Sequence, residues 1–477
     1  MLLRRLARDS AIYGGADLFS KTLAFLTFPL IAAALSPLAF GALELLLTAT
    51  ALLGMAANCG LNNSLQRFYW DQDTAQIHAP VLVSSGLAAL VLFLMIALAA
   101  GVVVATAITP WLPLWDLPLT WIGLIAALVL MAGNQMAQYL LDVIRLRMKP
   151  WRFVGITLAS RVLTACAGVV AVVWLGWGLD GLLVVQAIVA LLALPLAAAA
   201  VRRDLTATID RDVARKLLQF GYPFIYSGIA FWLFGSMDRW MLAAMSSVEE
   251  VGIYSVAYRL ASIVMFVSLA FGQAWSPLAM KFRTDHPSRY RKLYADVLLT
   301  LACGMLLLGG FVALFSSELI DLLMPSEYRS AASPLAILCL GVVVQSTIQV
   351  TAVGISIEKK THLFARLAWI AAGLNFMLNL LFIPSHGAVG AAWATALTYL
   401  FLTSSYLYYS QLLHPIPLPW RRIAIWLALL GGVAIVCTGW PLNSQQSLSF
   451  EFKLLFLFAC GAVCVVLARW PNSKHAG

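Results

Sequence analysis

The sequence predicts an all-α polytopic membrane protein of about fourteen transmembrane helices, arranged as two parallel six-helix repeats followed by two further helices. Three observations carry that reading. The 477-residue chain is 62% hydrophobic and only 11% charged, with a mean hydropathy of +0.89, whereas a soluble domain carries about a quarter charged residues. Its apolar residues gather into fourteen runs, each longer than the roughly 17 residues a helix needs to cross the hydrocarbon. Its 31 basic residues alternate in step with those runs.

The runs are 11–35, 39–61, 79–107, 119–141, 153–175, 179–201, 218–245, 251–276, 293–315, 333–356, 363–384, 387–411, 421–440 and 452–469. The first follows "MLLRRLARDS" and is about 25 residues long, longer than the apolar core of a signal peptide, so it reads as a retained helix. Linkers such as "LSPL", "SSVEE" and "PSHG" are short enough to make tight helical hairpins. One set of alternate linkers and termini holds 25 of the 31 basic residues: the N-terminus, Arg67, 145–152, 202–216, 281–292, 359–366, Arg421, Arg422 and the C-terminal tail. The opposite set holds Arg329 and Lys453. Positive charge marks the cytoplasmic side, so both termini are expected in the cytoplasm. The net charge of +10 is therefore spread over loops rather than clustered for nucleic acid, and no nucleic-acid partner is expected.

A repeat runs through the chain. "LIAAALSPLAFG" at 30–41 matches "MLAAMSSVEEVG" at 241–252 with an offset of 211, pairing Ser36 with Ser247 and Gly41 with Gly252. The same offset pairs Asn134 and Gln138 with Gln345 and Gln349, and Lys149 with Lys360. "GLDGLLVVQA" at 178–187 matches "GAVGAAWATA" at 387–396. Six spans is an even number, so both halves enter from the same side and the repeats are parallel. The expected organisation is a first lobe at 1–201, a charged cytoplasmic linker at 202–217, a second lobe at 218–411, and spans 13 and 14 with the tail at 412–477.

Ionisable side chains inside a span are costly, about 2.5–3.5 kcal/mol each on insertion scales, and are kept for function or paired. Asp17 and Lys21 are four apart and share a helical face; they form either a self-contained pair or a cavity lysine with its counter-ion. Asp238 and Arg239 are adjacent, point about 100° apart and need separate partners. Arg259, at a similar depth across the "SSVEE" hairpin, is the expected partner of Asp238. Arg239 then faces a water-filled cavity or snorkels to the outer headgroups. Arg161 has no acidic neighbour in sequence and reads as cavity-facing. Glu44 balances a cation or serves as a proton or sodium site. Asn134 and Gln138, and their counterparts Gln345 and Gln349, contact sugar hydroxyls or join helices.

Several function classes are absent from the sequence. It has no phosphate-binding or dinucleotide glycine pattern, no HExxH, and no nucleophile with a base at a recognisable spacing, so it reads as neither an enzyme nor an ATP-driven pump. The seven cysteines lie in apolar stretches without a CxxC or a His cluster; no metal site is expected, and Cys460 and Cys464 read as packing residues.

The stretches "SMDRWMLAAMSSVEEVGIYSVAYRLASIV" (236–264), "GQAWSPLAMKF" (272–282) and "SAIYGGADLFSKTLAFLTFPLIAAALSPLAFGALELLLT" (10–48) resemble bacterial polysaccharide transporters, the O-antigen and exopolysaccharide repeat-unit flippases of the MOP superfamily. The resemblance covers most of 1–410. It implies MATE-like V-shaped lobes around a cationic central cavity, to which Lys21, Arg161, Arg239 and Arg259 would contribute. Asp17, Glu44 and Asp238 would be supporting charges. It implies an inner-membrane location, and a cargo of oligosaccharide on undecaprenyl diphosphate carried from the cytoplasmic to the periplasmic leaflet. It also implies glycosyltransferase and polymerase partners and no resident cofactor; whether H⁺ or Na⁺ is coupled stays open. Two cousins are the alternatives: a MATE-type cation-coupled exporter, and a lipid II flippase, whose first span is usually richer in arginine.

Overall fold

A computed structural model describes residues 2–71, 79–108, 118–360, 362–438 and 449–469; the C-terminal tail expected in the cytoplasm, 470–477, lies outside them. Among the described residues there is helix and no strand. Twelve helices are long and apolar enough to cross a membrane, thirteen counting one bent pair. The protein is a multi-pass membrane protein. The chain divides into two compact units, Met1–Ser236 and Met237–Gly477.

The first unit contains α1 (Leu2–Ala34), α2 (Pro37–Asn58), α3 (Leu61–Phe68), α4 (Ala79–Ile108), α5 (Trp121–Leu146), α6 (Pro150–Val169), α7 (Gly178–Val201), α8 (Arg211–Gly221) and the start of α9 (Pro223–Met245). Local chemistry sets the helix starts. Ser36 caps α2 by accepting from the Ala39 amide at 3.3 Å, with Pro37 at the first position; a cap of this kind is worth about 1 kcal/mol. Thr120 caps α5, and the Asp180 carboxylate from α7 accepts from the Thr120 amide at 3.1 Å. α5 packs most closely on α7, where a Cβ on Gly133 would stand 3.1 Å from that of Ala190. Small residues let such backbones approach in a medium that gives no hydrophobic drive.

The charged stretch expected as a linker, 202–217, is bound to this unit. Residues 202–204 form a 3₁₀ turn and 211–221 form α8. Val213, Leu217 and Gly221 recur every four residues and make one buried stripe, while Arg211, Arg215 and Lys216 face outward. Ser84 and Ser85 accept from the amides of Thr206 at 2.8 Å and Asp210 at 2.9 Å. Ser64 on α3 donates to the Leu217 carbonyl at 2.7 Å, and Arg147 pairs with the buried Asp204. The expected seventh span thus starts at Pro223, after a 43° bend from α8.

The second unit contains the rest of α9, α10 (Val248–Asp285), α11 (Tyr290–Leu314), α12 (Ser316–Leu323), α13 (Ala332–Ser346), α14 (Ile348–Thr351), α15 (Val353–Ile357), α16 (His362–Leu413), α17 (Trp420–Thr438) and α18 (Phe450–Arg469). Ser247 caps α10, as its repeat counterpart Ser36 caps α2. The single span expected at 333–356 is broken into α13, α14 and α15. At the first break the hydroxyls of Ser346 and Thr347 bond back to the carbonyls of Val343 and Val344 at 2.6 and 2.8 Å, a contact that bends helices. α16 kinks at Gly387, with φ at +51°, inside "PSHG". Glu250 accepts from the Ala388 amide there at 2.7 Å.

Lys453, expected in an outer loop, lies in the first turn of α18. It is buried, with its ammonium 2.7 and 3.0 Å from the two carboxylate oxygens of Glu318 on α12. Removing Glu318 leaves the buried Lys453 ammonium without its counter-ion. Because Glu318 itself is 40% exposed, Glu318→Ala is expected to destabilise the second unit by about 1–2 kcal/mol. Adding Lys453→Met should recover most of the loss, read as the melting temperature in detergent. The seven cysteines are free thiols; Cys303, Cys339, Cys460 and Cys464 are buried.

Candidate functional site

The first unit brings together three residues that the sequence placed on two spans. Asn134 and Gln138 of α5 and Arg161 of α6 line one cavity of about 310 Å³, with Gln135, Ser160 and Thr164 beside them. The i, i+4 spacing puts Asn134 and Gln138 on one face of an unbroken helix. Ser160, Arg161 and Thr164 occupy one turn of the facing helix, and α7 closes the back with Val189, Ala190 and Ala193. The polar part of the lining is a single guanidinium amid amides and hydroxyls, set in an otherwise apolar wall. Such a set can bind an oxyanion through the guanidinium fork and polyol oxygens through the neutral groups.

The amide row continues beyond the cavity. Asn58 donates to Asn62 at 3.0 Å and to the Gln135 carbonyl at 3.4 Å. Below the cavity lies Asp142, which sequence reasoning did not select. It is 3% exposed and accepts from Gln138 Nε2 at 3.1 Å. Arg145 stands 3.5 Å from it and lies over the rings of Phe153 and Tyr13. At the same end of the unit, burial first and the Asp204 carboxylate second push the Tyr69 phenol above its ordinary value, against the opposing pull of Arg147.

Lys21 is not among the residues lining this cavity; it pairs with Asp17 at 2.8 Å on the exposed face of α1. Glu44 is buried in α2. In the second unit, Asp238 is buried and takes the hydroxyl of Tyr254, as well as the Arg239 amide at 2.8 Å. Tyr254 also meets Thr395 at 3.2 Å. Arg239 is 5% exposed, donates to Ser255 Oγ at 3.2 Å and lies 4.8 Å over the Tyr258 ring. Arg259 on α10 is half-buried. Asn379 donates to Asn375 at 2.9 Å and Asn375 to Thr398 at 3.2 Å, a buried ladder between the two halves of α16. Gln345 and Gln349 fall on either side of the first break, on α13 and α14, and Gln349 packs against Gly272. They therefore lack the shared unbroken face of Asn134 and Gln138.

The "Polysaccharide biosynthesis protein" family model matches residues 6–283, more than half of the chain. The chain belongs to the polysaccharide biosynthesis protein family. A second family model, "MatE", matches residues 223–381 of this family member. A Haloferax volcanii protein named "Probable low-salt glycan biosynthesis flippase Agl15" is 26% identical over 187 residues. The match takes in 39% of this chain and 40% of that protein's length. Among solved structures, "Lipid II flippase MurJ, inward closed conformation" superposes with a TM-score of 0.72 at 12% identity, over 96% of this chain and 98% of its own. An inward-facing multidrug resistance MATE family transporter of the MOP superfamily superposes with a TM-score of 0.58 at 14% identity, over 86% and 96%. The chain thus shares its fold with these two transporters.

Proposed function

We propose that this protein is a flippase that carries undecaprenyl-diphosphate-linked oligosaccharide units from the cytoplasmic to the periplasmic leaflet of the inner membrane, for surface polysaccharide synthesis. Both termini are cytoplasmic, and glycosyltransferases and a polymerase act before and after it. The observation that carries this reading is the cavity of the first unit. A guanidinium set among amides and hydroxyls, in a membrane-spanning member of the polysaccharide biosynthesis protein family, suits a cargo that joins phosphate to sugar.

Energetics favour the outward direction. Each negative charge moved outward across an inside-negative membrane gains about 2.3 kcal/mol per 100 mV. The binding groups need only become accessible to one leaflet and then the other, with no covalent step. The test is reconstitution into vesicles with undecaprenyl-diphosphate-linked oligosaccharide in the inner leaflet. The expected result is protein-dependent appearance of the glycan to an external glycosidase, faster than for lipid II. Equal or faster movement of lipid II would favour the peptidoglycan cousin, and no movement of either would overturn the reading.

A further inference from the structure

Gln138 stands between the cavity and a buried acid. Its amide nitrogen is committed to Asp142 at 3.1 Å, because an ionised carboxylate only accepts hydrogen bonds. That commitment turns the amide so that its carbonyl edge, an acceptor, is the one directed away from Asp142, in a residue that lines the cavity beside Arg161. An acceptor there repels an anion that Arg161 attracts.

We propose that Asp142 is a proton switch that sets the polarity of this cavity. When Asp142 gains a proton its carboxyl becomes a donor. The Gln138 amide then turns over, its carbonyl accepting from Asp142 and its NH₂ group entering the cavity. The lining gains a donor beside Arg161, and an anionic headgroup binds more tightly. Proton uptake and anion binding are thereby linked in the same direction, and the linkage is reciprocal. The inference rests on the flippase reading only for the identity of the anion.

The surroundings leave Asp142 able to change state. Its ion partner Arg145 is about half exposed and 3.5 Å away. The other titratable neighbour on α5, Tyr139, spends its hydroxyl on the Val83 carbonyl at 3.1 Å. Of the helices packed on α5, α4 carries no ionisable residue. α7 carries Asp180, bound at the opposite end of α5. α3 carries Arg67, paired with Asp71 at 3.2 Å. α2 carries Glu44, and α6 carries Arg152, Cys166 and the cavity residue Arg161. From α1, Tyr13 lies under Arg145.

The experiment measures binding of undecaprenyl diphosphate to the purified full-length protein in detergent, between about pH 5.5 and 8, with wild type, Asp142→Asn and Gln138→Leu in parallel. The ligand's own titration is common to all three and cancels in the comparison. Wild type is expected to lose more affinity across this range than either variant, by up to about tenfold per pH unit, the ceiling for one linked proton. Asp142→Asn keeps the size and the hydrogen bond but cannot titrate. Gln138→Leu keeps the acid but has no amide to turn, so an Asp142 that acted through its charge alone would leave its pH profile like that of wild type and unlike that of Asp142→Asn. Identical pH profiles in wild type and Asp142→Asn would overturn the switch while leaving the flippase reading intact. Absence of binding by all three at every pH would overturn both.

Discussion

Replacing Arg161 with alanine is expected to stop surface polysaccharide and to leave lipid-linked units on the cytoplasmic leaflet, at unchanged protein level. Arg161 is the cation among the cavity-lining residues. A hydrogen bond to a charged group contributes about 1.5–3 kcal/mol, so the cargo should bind roughly 10- to 150-fold more weakly. Arg161→Lys keeps the charge but loses the planar fork, and should restore only part of the transport. The check is quantification of extracted lipid-linked glycan together with cell-surface polymer. Normal polymer at a normal protein level would remove Arg161 from the cargo path.

The largest structural effect is expected at Gly60. This residue adopts a left-handed backbone with φ at +69°, and a Cβ there would run into the backbone carbonyl of Gly221. Neither atom group can rotate away, since the obstacle is main chain. Backbone strain of about 1–3 kcal/mol adds to about 1–3 kcal/mol of overpacking. Gly60→Val should therefore lower the melting temperature sharply and reduce the yield of folded protein. Gly14→Ala is the control: it lies in helix α1 with open space around it, and should be neutral or slightly stabilising.

These cases show what was legible before any coordinates. Hydropathy reports the length of an apolar run, and the long helices follow from it. It cannot report a break inside an equally apolar run, so the interruptions at Thr347 and Ala352 were invisible. The signal for the first was the Ser346–Thr347 pair, whose hydroxyls compete for backbone carbonyls. Averaging over composition hid α8 as well, because its apolar stripe is diluted by five charged residues: Arg211, Asp212, Arg215 and Lys216 within it and its cap Asp210 before it.

At the candidate site, Arg161, Asn134 and Gln138 were legible because polar side chains stand out in apolar helices. Asp142 was missed by one residue, since the fourth span was expected to end at 141 and the helix runs to Leu146. The i, i+4 relation to Gln138 would have found it. Tyr254 was missed for another reason: an aromatic residue in a membrane helix reads as packing, and only the fold shows its hydroxyl on Asp238.

The bound state of 202–221 bears on how the chain survives in a cell. By composition this is a cleavable stretch of the protein, with Arg202, Arg203, Arg211, Arg215 and Lys216 offering sites to any protease that cuts after basic residues. A protease needs an extended substrate, so cutting requires local opening. Opening here means releasing the amides of Thr206 and Asp210 from two serines, the Leu217 carbonyl from a third, and the buried Val213 and Leu217 from their neighbours. A segment that looks like a severable hinge therefore serves as a clasp, and resists digestion for as long as the first unit stays folded.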